Sequence, residues 1–174
     1  MFKSINYMIT ASFIKEILFY NIHTGDFIWK VDRGSNKVKG QKAGWLEKGM
    51  NNYCRIKING KSYLVHRLIW FYMTEEWPQQ DIDHRNTIKD DNRWNNLRLA
   101  SESQNGANRP KLKNNKSGYK GVCWHKQHKK WQVQIKKNNI VYHLGYFDDV
   151  IEAAKAYDKK ALTLHGSFAK LNFI

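Results

Sequence analysis

The sequence contains little cysteine: Cys54 and Cys123 are its two cysteines, and they lie far apart in a chain of 174 residues. Because no Cys-x-x-Cys pair is present, a zinc site built from cysteines is excluded. Two isolated thiols are typical of reduced cysteines in a cytosolic protein, so a cytoplasmic location is expected.

Long apolar segments are also missing. No apolar run approaches the roughly 18 residues of a membrane-spanning helix. The first 20 residues contain lysines but no long apolar core followed by a small-residue cleavage site, so we predict no signal peptide. A membrane is therefore not expected as a partner.

Acidic residues are few relative to basic ones. Lys and Arg number 30 against 15 Asp and Glu, which gives a formal net charge of +15. A surface of this charge repels itself, and a polyanionic partner such as nucleic acid is the simplest explanation. A merely basic soluble protein is the alternative. Hydrophobic residues at 41% and aromatic residues at 14% indicate a folded chain.

Composition divides the chain into two modules. The segment 105–116 combines Gly, Pro, Asn and Lys without apolar periodicity, which is typical of a linker. Residues 1–105 carry 16 basic and 11 acidic side chains, a net charge of +5, whereas residues 106–174 carry 14 and 4, a net charge of +10. The more basic second module is predicted to contact nucleic acid along much of its surface. The predicted first module, linker and second module are residues 1–108, 109–116 and 117–174.

Local patterns predict an α+β chain. In the first module, a helix is predicted over residues 1–20 from apolar residues at roughly helical spacing: Ile5, Ile9, Phe13, Ile17 and Leu18. Asn59-Gly60 predicts a hairpin turn, and the apolar run 66–73 predicts a helix ended by Pro78. Strands are predicted at 26–29, 53–58 and 63–65.

The second module has a simpler pattern, which predicts a three-stranded antiparallel sheet packed on one helix. Asp149 with Glu152 resembles a capping box at the start of that helix, and Gly166 follows its end. The predicted strands are 119–124, 131–136 and 141–147. The predicted helix has apolar residues at steps of four and three: Val150, Ala154, Tyr157, Ala161 and Leu164.

Residues 82–105 carry the pattern with the clearest chemistry. A strand ends in Asp83-His84, the chain loops out and returns on a strand, and a helix follows, with Ser101 and Gln104 forming a capping box. Phosphodiester hydrolysis requires a deprotonated water and a cation that neutralises the charge developing on the phosphate. Asp83 offers a hard oxygen ligand for Mg²⁺, and the amide oxygen of Asn105 can be a second. His84 can accept the proton of the attacking water.

Asn96 completes this set, because its side chain can bond the other ring nitrogen of His84 and fix the tautomer. The full set resembles the HNH endonuclease family, in the subclass found in phage homing endonucleases. The resemblance covers about residues 14–108, with a ββα-metal core at about 63–108. Further matching segments are Tyr20, Thr24-Gly25, Trp29, Val65-His66-Arg67-Leu68, Asp91-Asn92-Arg93 and Asn96-Leu97-Arg98.

The resemblance implies Asp83 and Asn105 as metal ligands, His84 as the general base and Asn96 as its orienting residue. The last position is Asn rather than His, which is usual for the zinc-free subclass, so Mg²⁺ or Mn²⁺ is expected and no zinc. His66 is interpreted as a packing and hydrogen-bonding histidine outside the site. The pair His125 and His128, next to lysines and without a carboxylate or thiol nearby, favours contact with phosphate over a metal.

The second module resembles the ethylene-response-factor (apetala-two) DNA-binding domain over residues 117–173. The matching segments are Ser117-Gly-Tyr-Lys-Gly-Val-Cys-Trp124, Leu144-Gly-Tyr-Phe147, Glu152-Ala-Ala-Lys-Ala-Tyr-Asp158 and His165-Gly-Ser-Phe-Ala-Lys-Leu-Asn-Phe173. The resemblance implies that the sheet, rather than the helix, lies in the DNA major groove, which also accommodates a β-ribbon.

Strand alternation predicts which side chains face the DNA. Trp131, Val133 and Ile135 should face the helix. The predicted outward residues are Lys120, Cys123, His125, Gln132, Gln134, Lys136, Val141 and His143. Gln can pair with adenine edges, and Lys with guanine or phosphate. Because the family usually has Arg or Trp at several of these places, base preference is not carried over.

The sequence therefore predicts a metal-dependent, site-preferring endonuclease that hydrolyses duplex DNA, of the phage homing type. The alternative is a non-enzymatic DNA-binding regulator that keeps an inactive nuclease fold. No protein partner is required, although one site of this kind cuts one strand at a time, so dimerisation on DNA is an open possibility.

Overall fold

The computed structural model describes residues 9–34, 38–47, 49 and 52–173. The chain forms two compact units, Met1–Leu99 and Ala100–Ile174. In the described part, no helix is long and apolar enough to cross a membrane.

The first unit begins with a short helix and a hairpin. The helix α1 spans Ala11–Ile17, and the Thr10 side chain caps it by accepting a hydrogen bond from Phe13 N at 3.2 Å. The predicted helix over residues 1–20 is too long, because Leu18 already begins a strand, and Ile5 lies outside the described residues. The strand β1 (Leu18–Asn21) pairs antiparallel with β2 (Asp26–Trp29).

A three-stranded sheet and a second helix complete the support of the first unit. The sheet has the order β3-β4-β5, with β3 at Trp45–Leu46, β4 at Cys54–Ile58 and β5 at Lys61–Leu64. The predicted Asn59-Gly60 turn is confirmed, since both residues have positive φ. The helix α2 (Val65–Thr74) ends at Glu75 in the left-handed conformation, so it stops before Pro78 instead of being ended by it.

One apolar core joins these elements. Its fully buried side chains come from α1, both sheets and α2: Ile14, Leu18, Phe27, Ile56, Ile58, Leu68 and Ile69. Burial of each such side chain contributes about 1.5–3 kcal/mol. Against this core lies a two-stranded sheet of β6 (Asp81–His84) and β7 (Leu97–Ala100), joined by the loop 85–96.

The second unit confirms the predicted sheet-and-helix arrangement and the α+β class. The helix α3 (Glu102–Asn108) carries the predicted capping box of Ser101 and Gln104. The sheet has the order β10-β9-β8, with β8 at Val122–His125, β9 at Lys130–Lys137 and β10 at Ile140–Phe147. The helix α4 (Val150–His165) packs on this sheet, and the Asp149 carboxylate caps it by accepting from Ile151 N and Glu152 N.

The division between the units differs from the one expected from composition. The sequence places a linker at 109–116, whereas the second unit begins at Ala100 and includes α3. The helix α3 packs on the rest of the second unit through long-range contacts, which the local sequence does not predict.

Candidate functional site

The Asp83-His84 pair lies at the end of β6 and is buried. Asp83 is 6% exposed and His84 4% exposed. The Asp83 carboxylate forms an ion pair with Arg98 of β7, whose Nε and Nη2 atoms both lie 2.8 Å from Oδ2. A carboxylate held in this way keeps a fixed orientation, and a carboxylate can accept from an arginine through one oxygen while the other binds a cation.

The His84 ring is oriented by Asn92. His84 Nε2 lies 3.1 Å from Asn92 Oδ1, while Asn92 Nδ2 donates to the Asp90 carbonyl. With its amide nitrogen used in this way, Asn92 presents an acceptor to His84, so Nε2 carries the hydrogen in the neutral ring. Nδ1 is then the nitrogen that can accept a proton.

Asn96 was predicted to make this contact, and its described hydrogen bonds are different. Asn96 Oδ1 accepts from Asn86 N at 3.0 Å, and Asn96 Nδ2 donates to the Asp91 carbonyl at 2.7 Å. Asn96 therefore holds the two sides of the loop 85–96 together and acts on His84 through that loop. The direct prediction fails because the loop folds back and presents Asn92, which the sequence pattern included without a role.

The β1–β2 hairpin packs against the same loop, residues 85–96. The Tyr20 hydroxyl donates to the Asn92 carbonyl at 2.8 Å, and burial raises the pKa of Tyr20 to about 12, which keeps that donor protonated. Gly25 has φ +80°, and a Cβ atom there would lie 2.5 Å from Arg93 N. The hairpin can approach the loop only because Gly25 has no side chain.

Burial also sets the charge of the histidines. Desolvation lowers the pKa of His84, although the hydrogen bond to Asn92 acts in the opposite direction. The His66 ring lies 5.2 Å from the His84 ring, and burial lowers the pKa of His66 to about 3. Both rings are therefore neutral near pH 7, and a neutral His84 is the form that a general base requires. His66 packs as predicted, but its Nδ1 has no hydrogen-bond partner among the described residues.

In the second unit, Asn105 lies in α3. The side of the three-stranded sheet that faces away from α4 carries mainly polar side chains. Val133 and Ile135 of β9 are buried against α4. The alternate side chains point outward: Cys123, His125, Gln132, Gln134, Lys136, Val141 and His143. We call these seven residues the sheet face.

The register places the sheet face in cross-strand rows. Gln132 pairs with Cys123 on β8 and with Tyr146 on β10, while Gln134 pairs with His143 and Lys136 with Val141. At one end, the Tyr146 ring contacts the rings of His125 and His128 at 5.2 Å and 4.4 Å. The sheet face thus offers amide and imidazole groups, with Lys136 as its exposed lysine, and the Tyr146 ring adds an aromatic group beside it.

Lys120 is not part of this face. It precedes β8, and its ammonium group donates to the carbonyl of Ala107 in α3. The backbone of Lys120 bonds the side chain of Asn172, which in turn bonds Asp158 of α4. The prediction that Lys120 points outward with Cys123 and His125 is therefore corrected: its charge is directed into the second unit.

Comparisons with known proteins find two families along the chain. Residues 63–107 match the family model of the HNH endonuclease (HNH_3), and residues 117–167 match that of the AP2 domain. The AP2-like ethylene-responsive transcription factor ANT of Arabidopsis thaliana is 42% identical over 57 residues, which are 32% of this chain and 10% of that protein. The AP2-like ethylene-responsive transcription factor CRL5 of Oryza sativa subsp. japonica is 42% identical over 59 residues, 33% of this chain and 9% of that protein.

The chain spans about a tenth of the length of these curated relatives. No solved structure matches it significantly. The chain therefore combines an HNH endonuclease segment with an AP2 domain, and both indicate DNA binding. The HNH match ends at residue 107 and so includes all of α3 except its last residue.

HNH nucleases generally use a divalent metal, and the oxygen donors of this chain fit one. The described residues contain no group of three or more His, Cys, Asp and Glu side chains that could hold an ion. The carboxylate of Asp83 and the amide oxygen of Asn105 are each hard oxygen donors of the type that Mg²⁺ accepts together with water and phosphate. The orientation of Asp83 by Arg98 is consistent with this type of ligand.

Proposed function

We propose that this protein is a metal-dependent endonuclease that cuts duplex DNA at preferred sites, as phage-type homing endonucleases do. The observation that carries the proposal is the buried His84 ring, whose Nε2 bonds Asn92 and which directly follows the buried Asp83 in the chain. This arrangement gives a neutral imidazole with Nδ1 as its basic atom, and the preceding residue supplies a carboxylate that can hold a cation.

In the proposed mechanism, His84 Nδ1 accepts a proton from the water that attacks the scissile phosphate. Asn92 stabilises the imidazolium that forms, because its amide oxygen accepts from Nε2. Asp83 and Asn105 would hold Mg²⁺ or Mn²⁺, which neutralises charge on the phosphate and on the leaving oxygen. Asn96 keeps the loop 85–96 closed, so Asn92 stays in place during the reaction.

The AP2 domain supplies recognition in this proposal. The sheet face enters the major groove, where Gln132 and Gln134 are suited to adenine edges and Lys136 to guanine or phosphate. No second protein is required for one strand to be cut. Cleavage of both strands needs two events or a dimer on the DNA, because one site of this kind acts on one strand at a time.

A DNA-binding regulator without nuclease activity is the competing function, and the AP2-like relatives are transcription factors by name. A plasmid-nicking assay separates the two. The wild-type protein should nick supercoiled DNA in the presence of Mg²⁺, and EDTA should abolish this activity. His84→Ala should keep DNA binding and lose roughly 10²–10⁴ in rate.

Asp83→Asn provides the matched variant for the metal, since it keeps the size of the side chain and removes its charge. Binding with no metal-dependent nicking by the wild type would favour the regulator. Nicking at the wild-type rate by His84→Ala would refute the assignment of the base.

A further inference from the structure

The helix α3 is too short to be stable without tertiary contacts. It has seven residues, and isolated helices below about 12–15 residues are marginal in water. Its last carbonyl groups also lack partners within the helix. The contacts that fix α3 therefore fix Asn105, which lies in its middle.

Three segments of the second unit make these contacts, two of them within the AP2 match and one just after it. Lys120 donates its ammonium hydrogen to the Ala107 carbonyl, and Lys170 N approaches the same oxygen at 3.4 Å. At the start of the helix, Asn138 N in the β9–β10 turn donates to Ser103 Oγ at 3.1 Å. Ala107 itself is buried. The helix is thus held at both ends by the domain that also carries the sheet face.

The charge of Lys120 strengthens its contact. A cation near a helix C-terminus is favoured by the helix dipole and satisfies a carbonyl that the helix leaves open. Burial lowers the pKa of Lys120 to about 8, and the charge of Lys170 acts in the same direction. Partial burial therefore disfavours the charged form of Lys120, and the bond to the Ala107 carbonyl at the end of α3 offsets part of this desolvation.

The sheet face and α3 also share a cleft. Its volume is about 480 Å³, and its walls come from α3 and from the end of the β9–β10 hairpin. Lys136, the exposed cation of the sheet face, lines this cleft together with Ser103 and Arg109. DNA seated on the sheet face would lie next to the hairpin end that bonds α3.

We propose that Lys120 is a positioning residue for Asn105, so the AP2 domain takes part in the cleavage step as well as in DNA recognition. The proposal rests on the proposed nuclease function. Lys120 then acts on α3, whereas the sequence pattern alone predicts that it contacts DNA.

Lys137 offers a matched control in the same domain. Its ammonium group donates to the Leu164 carbonyl near the end of α4 at 2.6 Å, so it makes the same kind of bond to a different helix. Lys120→Met and Lys137→Met each remove one lysine–carbonyl bond and keep the length of the side chain. Lys120→Arg retains the charge and the donors.

The test uses the full-length chain and measures three quantities for each variant: equilibrium DNA binding, the cleavage rate at saturating DNA, and amide hydrogen exchange in α3 and α4. In Lys120→Met, binding should stay unchanged, the rate should fall roughly 10- to 100-fold, and α3 amides should exchange faster. Lys120→Arg should restore most of the rate. Lys137→Met should alter α4 exchange and leave the rate and α3 unchanged.

A weaker affinity of Lys120→Met with a normal rate at saturation would overturn the proposal in favour of direct DNA contact. Unchanged α3 exchange would overturn it as well. Absence of cleavage by the wild-type protein would refute the nuclease function, and the exchange measurement would then decide the anchoring of α3 by itself.

Discussion

The buried ion pair of Asp83 and Arg98 controls how the candidate site responds to substitution. Both side chains are less than a tenth exposed, and their contact distance is 2.8 Å. Removing one partner of a buried pair is strongly destabilising, because it leaves the other charge buried without that partner.

Asp83→Ala should therefore lower the free energy of unfolding by about 3–5 kcal/mol, whereas Asp83→Asn should lower it less, because the amide oxygen still accepts from Arg98. Urea unfolding of both variants measures the difference. The double variant Asp83→Ala with Arg98→Met should recover part of the loss. Equal stability of Asp83→Ala and the wild type would show that the pair is not buried as described.

The two buried histidines predict a pH dependence of stability. The folded protein binds a proton at His66 only near pH 3, whereas the unfolded chain does so near its ordinary pKa of about 6.5. Below pH 6.5 the unfolded state therefore binds more protons, so stability falls as the pH decreases from about 6.5 toward 3. His84, whose pKa is also lowered, acts in the same direction.

His66→Phe should reduce the slope of stability against pH between 6 and 4 by up to ~1.4 kcal/mol per pH unit. Denaturant unfolding at several pH values measures this slope for both proteins. The slope should not vanish, because His84 remains. An identical slope in the variant would mean that His66 has the same pKa in the folded and unfolded states.

At the scale of elements, the β1–β2 hairpin is predicted to control cleavage without touching the catalytic groups. Gly25→Ala places a methyl group 2.5 Å from Arg93 N, so the backbone that carries Asn92 must move. Gly60→Ala is the matched control, since Gly60 has φ +82° in another hairpin and open space around it.

Both substitutions incur backbone strain of about 1 kcal/mol at positive φ. Only Gly25→Ala should slow cleavage at saturating DNA, because only it displaces Asn92 from His84. Nicking rates and melting temperatures of the two variants distinguish the effects. A normal rate in Gly25→Ala would show that the loop tolerates the shift.

The strand β9 is predicted to separate sequence preference from affinity. Gln134→Ala should relax preference at one base position, because an uncharged amide reads a base edge. Lys136→Ala should weaken binding to all sequences and reduce the log–log salt slope by about 0.9 if Lys136 meets a phosphate. Binding to specific and scrambled duplexes at several salt concentrations measures both. If Lys136→Ala changes the preference at a single base position only, Lys136 contacts a guanine and not a phosphate.

Local features of these elements could be predicted from the sequence. The Asn59-Gly60 turn, the Ser101 capping box and the Asp149 cap depend on a few neighbouring residues, so their patterns are visible in the chain itself. The alternation of β9 likewise gave the correct outward side chains.

Long-range contacts could not be predicted in the same way. Asn92 reaches His84 because of the fold of a loop, and Gly25 meets Arg93 of that loop, which lies 68 positions later in the chain. Lys120 lies before β8, which begins at Val122, so strand alternation does not determine where its side chain points, and its contact with Ala107 in α3 comes from the tertiary fold. Such contacts depend on tertiary structure.

At the scale of the whole molecule, the boundary between the compact units does not coincide with the boundary between the family matches. The HNH match includes all of α3 except its last residue, and the compact second unit also includes this helix. A protein truncated after residue 109 would keep every proposed catalytic residue and lose Lys120, Asn138 and Lys170. It should therefore cut poorly even at saturating DNA, and adding the AP2 domain as a separate chain should restore little.

The exposed Cys123 gives this protein a built-in chemical tether. It lies on the sheet face opposite Gln132, while the other thiol, Cys54, is half-buried in the first unit. A duplex carrying a thiol-bearing base should form a disulfide with Cys123 only where that base faces β8. The yield of the disulfide cross-link, measured over a series of duplexes that carry the thiol at successive positions, would locate the sheet on the DNA to a single base pair. The natural sequence already contains the cysteine that this experiment needs.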